Sequence, residues 1–226
     1  IKDNICYKNH RVSASSKILE GFTSLYTSTV LQRLIDQDAI VIGRLNCDEF
    51  AMGSSNENSA FGPVLNFKNK NKVAGGSSGG SAVAVQADFC QVSLGTDTGG
   101  SIRMPAAFCG ISGLKPTYGK VSRWGLIAYA SSFDTIGPMA KNIEDLELVL
   151  QVIAGDDGQD STLFDGNIKY PSNKKIAYIK EVVEHKSLQK EIKDAFFQKV
   201  EELKKLGYFV EAVDFPYLEQ LLPTYY

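Results

Sequence analysis

Residues 75–81 read Gly-Gly-Ser-Ser-Gly-Gly-Ser, and residues 95–101 read Gly-Thr-Asp-Thr-Gly-Gly-Ser. Each stretch sets hydroxyl groups in a glycine-rich backbone that can adopt conformations closed to residues with a β-carbon. One short helix-like segment separates the two loops, which indicates a site where backbone amides and hydroxyls face a polar ligand. An acyl-transfer enzyme needs this layout, because it requires a nucleophile, a proton relay and donors for an oxyanion.

The residues around the first loop disfavour two common uses of glycine-rich stretches. A flexible linker runs through polar surroundings, whereas residues 82–85 read Ala-Val-Ala-Val and predict a buried helix. A phosphate-binding P-loop requires Lys followed by Ser or Thr after its last glycine. Here Gly80 is followed by Ser81 and Ala82, and the G-x-G-x-x-G spacing of dinucleotide-binding loops is also absent.

Residues 75–79 match the G-x-S-x-G pattern of a serine-hydrolase elbow, which places the nucleophile directly after a buried strand. The preceding residues 66–72 are polar and cationic instead. His185 is the only histidine downstream, and we expect both His185 and His10 to lie on the surface. A buried lysine is the alternative base, because burial lowers its pKa and leaves a neutral amine. Composition alone does not select one lysine.

The composition is that of an ordinary globular protein. Of 226 residues, 43% are hydrophobic and 22% are charged, and the formal net charge is -2 at pH 7. This charge gives no electrostatic case for direct binding to nucleic acid or a membrane, and no apolar run approaches the ~20 residues of a membrane span. Two histidines and the lack of a C-x-x-C pair argue against a zinc site. The four cysteines indicate a reducing cytoplasm, and we expect them to be buried.

Helical and strand patterns alternate along the chain. Apolar spacing predicts helices over residues 29–37, 80–89, 143–153 and 192–207, and another helix with Pro105 in its first turn. Apolar runs predict strands over residues 92–94, 175–179 and 208–215, and a strand buried on both faces over residues 39–43. Residues 156–173 are polar and predict a loop or linker. The alternation predicts an α/β fold whose sheet is covered by helices on both faces.

The two glycine-rich loops, continued by Ile-Arg-Met-Pro-Ala at 102–106, strongly resemble the amidase signature family. The resemblance implies a Ser–cis-Ser–Lys triad with Ser101 as the nucleophile. Ser77 would be the bridging serine on a cis peptide bond after Gly76, and Lys2, in the motif Lys-Asp-Asn, would be the terminal base. Neutral Lys2 would accept a proton through Ser77 as Ser101 attacks an amide carbon. The implied fold is a mixed central sheet with helices on both faces, of which this chain is a partial domain.

The same resemblance assigns residues around the triad. The oxyanion would be held by the backbone amides of Thr98, Gly99, Gly100 and Ser101. The substrate pocket would be lined by Met52, Gly53 and Ser54. Asp97 and Arg103 flank the nucleophile loop, and we expect them to pair and brace it. The alternative is that they are two unrelated loop charges.

Within the family, residues 48–62, 113–119 and 129–134 resemble the glutaminase subunits of tRNA-dependent amidotransferases. This resemblance implies hydrolysis of glutamine to glutamate, with the ammonia passed to a partner subunit. The acceptor would be Glu-tRNA(Gln) or Asp-tRNA(Asn), held mainly by the partner, which would also bind ATP and Mg²⁺. The complex would be a cytoplasmic heterotrimer with B and C subunits. This chain would need no cofactor or metal of its own and would not contact a membrane.

We expect a single amidase-signature domain over residues 1–226 that is truncated at both ends. The catalytic core motifs lie in residues 1–162, and residues 163–226 would continue the α/β fold. Because the chain begins without Met, we expect a fragment, with the residues that grip the α-amino and α-carboxylate groups of glutamine beyond residue 226. Two other functions remain open: a free-standing amidase acting on a small or aryl amide, and a non-catalytic scaffold. A scaffold, however, has no need for a buried lysine and two loop hydroxyls.

Overall fold

The computed structural model describes residues 1–164 and 174–225. The chain divides into two compact units, the first covering the former range and the second covering the latter. Both glycine-rich loops and every candidate site residue belong to the first unit.

The first unit combines helices with a small antiparallel sheet. Its helices are α1 (Thr29–Ile35), α2 (Gly79–Gln86), α3 (Arg103–Cys109) and α4 (Ile143–Ile153). Its strands are β1 (Val92–Asp97), β2 (Ser112–Gly113) and β3 (Thr135–Ala140). Short 3-10 turns span Lys17–Leu19 and Glu49–Ala51. The strands pair in the order β1-β3-β2, with β3 antiparallel to both neighbours.

Helices cover this sheet on both faces. Side chains at Ile136 and Met139 of β3 point to opposite faces, because successive residues of a strand alternate. Ile136 belongs to a buried cluster with Val30 of α1 and with Val149 and Ile153 of α4. Met139 belongs to a second cluster with Ala82 of α2 and Ala106 of α3. The α/β class and the covering of a sheet by helices on both faces are therefore confirmed.

Small residues let α2 approach β1 closely. Gly79 and Gly80 at the start of α2 are buried, and a Cβ at either position would collide with Asn56 or with the backbone of Asn46. On the facing strand, a Cβ at Gly95 would lie 2.9 Å from Ser78 Oγ. The glycines thus bring the serines before α2 against the end of β1.

Most helix and strand predictions in the first unit are confirmed. Pro105 lies in the first turn of α3, and β1 extends beyond the predicted residues 92–94. α4 begins after Asn142, whose side chain accepts a hydrogen bond from the Asp145 amide at 2.7 Å and so caps the helix. α1 and α2 end before the predicted limits.

The apolar run at residues 39–43 does not form the buried strand predicted from the sequence. Within the described residues no strand pairs with it, and Ile40 and Ile42 are 87% and 67% exposed. A strand requires a neighbour for its backbone hydrogen bonds, and hydrophobic residues alone do not supply one. The run instead lines an open apolar groove together with Phe89 and Leu34.

The second unit is a small α/β unit. Its elements are β4 (Lys175–Ile179), α5 (Lys180–Val183), α6 (Lys190–Lys205), β5 (Phe209–Val213), a 3-10 turn (Leu218–Gln220) and α7 (Leu221–Tyr225). β4 and β5 are parallel, and Tyr178 of β4 contacts Phe196 and Phe197 of α6 edge to face. The two predicted strands and the long helix are confirmed. Residues 165–173 of the predicted loop lie outside the described residues.

The histidines and most cysteines lie where the sequence predicts. His10 and His185 are exposed. The buried cysteines are Cys6, Cys47 and Cys109, whereas Cys90 is partly buried. Among residues 1–164 and 174–225, no helix is long and apolar enough to cross a bilayer. No group of three His, Cys, Asp or Glu side chains in these ranges could hold a metal ion.

Truncation of two isoleucines tests where the core lies. We expect Ile136→Ala to lower the free energy of unfolding by about 2–5 kcal/mol, because it removes buried methylene groups from β3 and leaves a cavity. The matched Ile40→Ala should change it by less than about 0.5 kcal/mol, because Ile40 is exposed. Urea unfolding followed by Trp124 fluorescence measures both. Equal losses would show that the 39–43 run is part of the core.

Candidate active site

Lys2 is the largest fully buried ionisable side chain in the first unit. It is 0% exposed. Its Nζ lies 2.7 Å from Ser77 Oγ, 3.0 Å from Ser78 Oγ and 2.7 Å from Thr96 Oγ1. The lysine, the start of α2 and the end of β1 therefore meet at one buried point.

Backbone contacts fix the N-terminal segment that carries Lys2. The Lys2 amide donates to the Leu94 carbonyl of β1 at 3.1 Å, and the Asp3 amide donates to Leu45 O at 3.0 Å. The Asp3 carboxylate then pairs with Arg44 Nε at 2.7 Å and accepts from the Ser13 amide at 3.1 Å. These contacts hold the segment on both sides, so the side chain of Lys2 enters the site from a fixed backbone.

Burial shifts the Lys2 amine towards its neutral form. Loss of water around Nζ lowers the pKa of Lys2 to about 8, and the negative charges of nearby Asp48, Asp97 and Asp134 oppose this effect only in part. At pH 7 about a tenth of the Lys2 amines are therefore unprotonated. A neutral amine can accept a proton, as a general base must.

Ser77 is held between Lys2 and the loop that contains Asp48. The peptide bond between Gly76 and Ser77 is cis, as the family resemblance implies. The Asp48 amide donates to the Ser77 carbonyl at 3.2 Å, and a Cβ at position 76 would collide with the Asp48 carboxylate. Only glycine fits at position 76, so the backbone carries the Ser77 hydroxyl directly against Lys2 Nζ.

Ser101 lies at the end of the second loop, 6% exposed. Its carbonyl accepts from the Ser78 amide at 3.1 Å, which ties the two glycine-rich loops together. Among the described residues the Ser101 hydroxyl has no hydrogen-bond partner, and no direct hydrogen bond joins it to Ser77. The structure thus joins Lys2 to Ser77 by a hydrogen bond and links Ser101 to the same loop through its backbone.

Asp97 organises the nucleophile loop. Its buried carboxylate accepts from the amides of Gly100 at 2.8 Å and Ile102 at 3.1 Å, and from Arg103 Nε and Nη2, both at 3.0 Å. Burial raises the pKa of Asp97, but the hydrogen bonds from Arg103 and these amides outweigh it, so the pKa is lowered overall. The structure therefore pairs Asp97 with Arg103 across the loop, in the bracing arrangement expected from the sequence.

The backbone amides proposed for the oxyanion hole divide into two groups. The Gly100 amide donates to Asp97 Oδ1 and is not free for an oxyanion, which corrects its assignment from the sequence. Within residues 1–164 and 174–225, no acceptor takes the amides of Thr98, Gly99 or Ser101. The Thr98 hydroxyl donates to Asp134 Oδ1 at 2.6 Å and holds this part of the loop in place.

The segment containing Met52, Gly53 and Ser54 lies beside the cis peptide. The Ser54 carbonyl accepts from the Gly76 amide at 2.8 Å, and a Cβ on Gly53 would collide with the Asp48 carboxylate. Met52 is 48% exposed. The segment is therefore close enough to the triad residues to form one wall of a substrate pocket.

Sequence reasoning missed several residues that the structure brings to this site. They are Asn4, Asp48, Ser78, Thr96 and Asp134, all buried. Each lies within or next to a motif already recognised, but the motif marks only residue types. Which hydroxyl of Ser-Ser or of Thr-Asp-Thr faces Nζ depends on the backbone path through the two loops.

The buried amine makes stability depend on pH in a defined direction. The pKa of Lys2 is about 8 in the folded chain, below its ordinary value of 10.5, so the unfolded chain holds the proton more tightly. The Lys2 contribution to the free energy of unfolding therefore rises between about pH 8 and pH 10.5, by up to about 1.4 kcal/mol per pH unit. Lys2→Met should lack this rise.

Urea unfolding followed by Trp124 fluorescence measures the effect, because Trp124 is the only tryptophan and lies in the first unit. The quantity to compare is the difference in free energy of unfolding between wild type and Lys2→Met, measured across the pH range. The exposed Lys8→Met variant is the matched control, for which we expect no pH-dependent difference. If the difference in free energy of unfolding between wild type and Lys2→Met did not change with pH, the lowered pKa of Lys2 would be contradicted.

Known proteins match the whole of this chain. The family described as Amidase matches residues 1–226. The A subunit of a glutamyl-tRNA(Gln) amidotransferase from Prochlorococcus marinus is 48% identical over 234 residues, which cover 100% of this chain and 48% of the relative. The chain thus spans about half the length of the curated relatives it matches.

Solved structures agree with this assignment. The chain resembles the A subunit of glutamyl-tRNA(Gln) amidotransferase from Thermotoga maritima with a TM-score of 0.93 and 41% identity, covering 100% of this chain and 51% of that one. It resembles the peptide amidase from Stenotrophomonas maltophilia with a TM-score of 0.87 and 33% identity, covering 99% of this chain and 49% of that one. The buried lysine, the two glycine-rich loops and these similarities lead to one conclusion: the chain belongs to the amidase family.

Proposed function

We propose that this chain carries the catalytic centre of a glutaminase, in which Lys2, Ser77 and Ser101 act in sequence. The observation that carries the proposal is the 2.7 Å contact between the buried Lys2 Nζ and Ser77 Oγ. The lowered pKa lets the Lys2 amine act as a base, and the Ser77 hydroxyl lies in position to give it a proton. Both histidines are exposed, and their ring nitrogens bond to the Lys8 carbonyl and the Ser187 amide instead of to these residues.

The proposed reaction begins with attack of Ser101 Oγ on the carboxamide carbon of glutamine. The Ser101 proton passes to Ser77, whose own proton passes to the neutral Lys2 amine. Collapse of the tetrahedral intermediate breaks the carbon–nitrogen bond, and the proton returns through Ser77 to the departing ammonia. Water then attacks the ester on Ser101 by the same relay and releases glutamate.

The oxyanion of each tetrahedral intermediate would lie against the amides of Thr98, Gly99 and Ser101. These amides have no acceptor among the described residues, and Asp97 and Asp134 hold their loop from both ends. Donors that are already oriented stabilise the developing charge without reorganising during the reaction. Met52, Gly53 and Ser54 would form the adjacent wall of the substrate pocket.

The names of the relatives support amidation of a tRNA-bound amino acid, and glutamine as the amide donor comes from the family resemblance. The relative from Prochlorococcus marinus is the A subunit of a glutamyl-tRNA(Gln) amidotransferase. By analogy, the ammonia would pass to a B subunit that binds ATP, Mg²⁺ and misacylated tRNA, with a C subunit completing a cytoplasmic heterotrimer. The chain's formal charge of -2 agrees with a tRNA held mainly by the partner.

A free-standing amidase is the second candidate. The peptide amidase from Stenotrophomonas maltophilia resembles 99% of this chain with a TM-score of 0.87. Its identity of 33% is lower than the 48% of the amidotransferase relative, and we therefore rank it second. Both candidates use the same triad and differ in the amide that they hydrolyse.

Ammonia release tests the nucleophile. The chain is assayed alone and with partner subunits. Wherever the wild type releases ammonia from glutamine, we expect Ser101→Ala to lose this activity by several orders of magnitude, because no other hydroxyl replaces the nucleophile. The matched control is Ser93→Ala, which removes a similarly buried hydroxyl that bonds to the Ser81 carbonyl and lies outside the triad. Survival of activity in Ser101→Ala would overturn its role. Hydrolysis of benzamide but not of glutamine would favour the free-standing amidase.

A second comparison tests the identity of the base. We expect the double variant His10→Ala/His185→Ala to keep glutaminase activity within a few fold, because both side chains are exposed. Lys2→Ala should lose several orders of magnitude, because Ser77 then has no proton acceptor. Steady-state ammonia assays on both variants measure the difference. A large loss in the histidine variant would contradict the lysine mechanism.

A further inference from the structure

Two hydroxyls besides that of Ser77 contact the Lys2 amine. Ser78 Oγ lies 3.0 Å and Thr96 Oγ1 lies 2.7 Å from Nζ, and both residues are buried. Nothing in the proposed proton relay requires them. A protonated lysine has three N–H donors, the same number as the hydroxyl oxygens around Nζ.

The proton of Ser78 is already used elsewhere. Ser78 Oγ donates to the Thr96 carbonyl at 3.0 Å and accepts from the Thr96 amide at 3.2 Å. A hydroxyl has one proton to donate, so towards Lys2 this oxygen can only accept. Ser78 occupies the N-cap position of α2, yet its side chain makes no capping hydrogen bond. Its hydroxyl is therefore turned from the usual capping role towards Lys2 and β1.

Thr96 is the second acceptor. Its Oγ1 accepts from Lys2 Nζ and from Asn4 Nδ2 at 3.2 Å. Thr96 lies on β1, where its backbone is fixed by pairing with Ile136 and by both contacts to Ser78. The strand therefore sets the position of this hydroxyl independently of Lys2.

These contacts restrict the orientation of a neutral amine, because Ser78 Oγ can only accept from Nζ. Neutral lysine has two N–H groups and one lone pair. If Ser78 and Thr96 accept the two hydrogens, the lone pair is left facing the third neighbour, Ser77. When Lys2 then gains a proton from Ser77, all three N–H groups still have an oxygen to bond, so the buried cation is satisfied without a carboxylate.

We propose that Ser78 and Thr96 are positioning residues that take the two N–H groups of neutral Lys2 and so direct its lone pair at the Ser77 hydroxyl. They touch neither substrate nor the reacting carbon and act only through Lys2. The acceptor role of Ser78 follows from its hydrogen bond to the Thr96 carbonyl, and the acceptor role of Thr96 towards neutral Lys2 is part of the proposal. Its consequence for catalysis rests on the proposed function.

Charged groups near Lys2 do not replace these hydroxyls. Asp48, Asp97 and Asp134 act on the amine through their charge. Within the described residues none of them makes a hydrogen bond or an ion pair with Nζ. The Asp48 and Asp97 carboxylates are instead occupied by backbone amides. The three hydroxyls therefore supply the direct contacts to the amine.

Titration of Lys2 tests the proposal without relying on activity. The chain is labelled with ¹³C- and ¹⁵N-lysine, and the Lys2 signal is identified by its absence from Lys2→Met. Thr96→Val and Ser78→Ala should each lower the titration midpoint of Lys2 by about one pH unit, because the ammonium loses an acceptor that stabilises it more than the neutral amine. Thr96→Ser keeps the hydroxyl and should titrate like wild type.

Ser81→Ala is the matched control. Its hydroxyl is equally buried in α2 but bonds to the Leu94 carbonyl and does not contact Lys2. We expect its midpoint to equal that of wild type. Thr96→Val and Ser78→Ala remove hydroxyls on different elements, so either variant alone suffices if the other fails to fold. Wild-type midpoints in both would overturn the proposal, as would an equal shift in Ser81→Ala.

Glutaminase kinetics separate this proposal from the proposed function. In an active wild type, Thr96→Val should lower kcat by about 10- to 100-fold with little change in KM, and Thr96→Ser should restore it. A lowered midpoint with unchanged kcat would overturn the positioning role. A wild type that shows the shifts but hydrolyses no glutamine would contradict the proposed function while leaving the arrangement around Lys2 supported.

Discussion

The site depends on the hydrogen bonds between the buried amine of Lys2 and the hydroxyl oxygens around it. A buried ammonium is costly unless its N–H groups are hydrogen-bonded. The required oxygens come from Ser77 and Ser78 before α2 and from Thr96 on β1. The N-terminal segment, one helix and one strand must therefore meet at one point. The hydrogen bond from the Lys2 amide to the Leu94 carbonyl of β1 holds the N-terminal segment there.

Glycine makes this meeting possible, and a carboxylate makes it rigid. Gly76 and Gly95 stand where a Cβ would press on Asp48 or Ser78, so the two loops can approach within hydrogen-bond distance. Asp97 then gathers the amides that follow it and pairs with Arg103. The two devices have different purposes. The glycines allow close contact, whereas the carboxylate orders the loop that carries the hydroxyl of the proposed nucleophile.

The hydrophobic patterns of the sequence predicted helices and strands correctly where the described residues include a neighbouring element that packs or pairs with them. The helical spacing around α4 and α6 and the strands β1 and β4 are examples. The run at residues 39–43 failed because its hydrophobic pattern describes what a strand could bury, not whether a neighbour is present to pair with it. In the part of the chain that the structure describes none is, and Ile40 remains exposed.

The sequence by itself determined the chemistry: two glycine-rich loops, the hydroxyls that they carry and, by family resemblance, one lysine as the base. Only the tertiary structure decided which groups touch. It showed that Ser78 and Thr96 share the Lys2 amine with Ser77, and that Asp97 occupies the Gly100 amide predicted for the oxyanion. The physical reason is that a motif specifies residue types along the chain, whereas hydrogen bonds depend on distances between atoms far apart in sequence, which the packing of α2 against β1 sets.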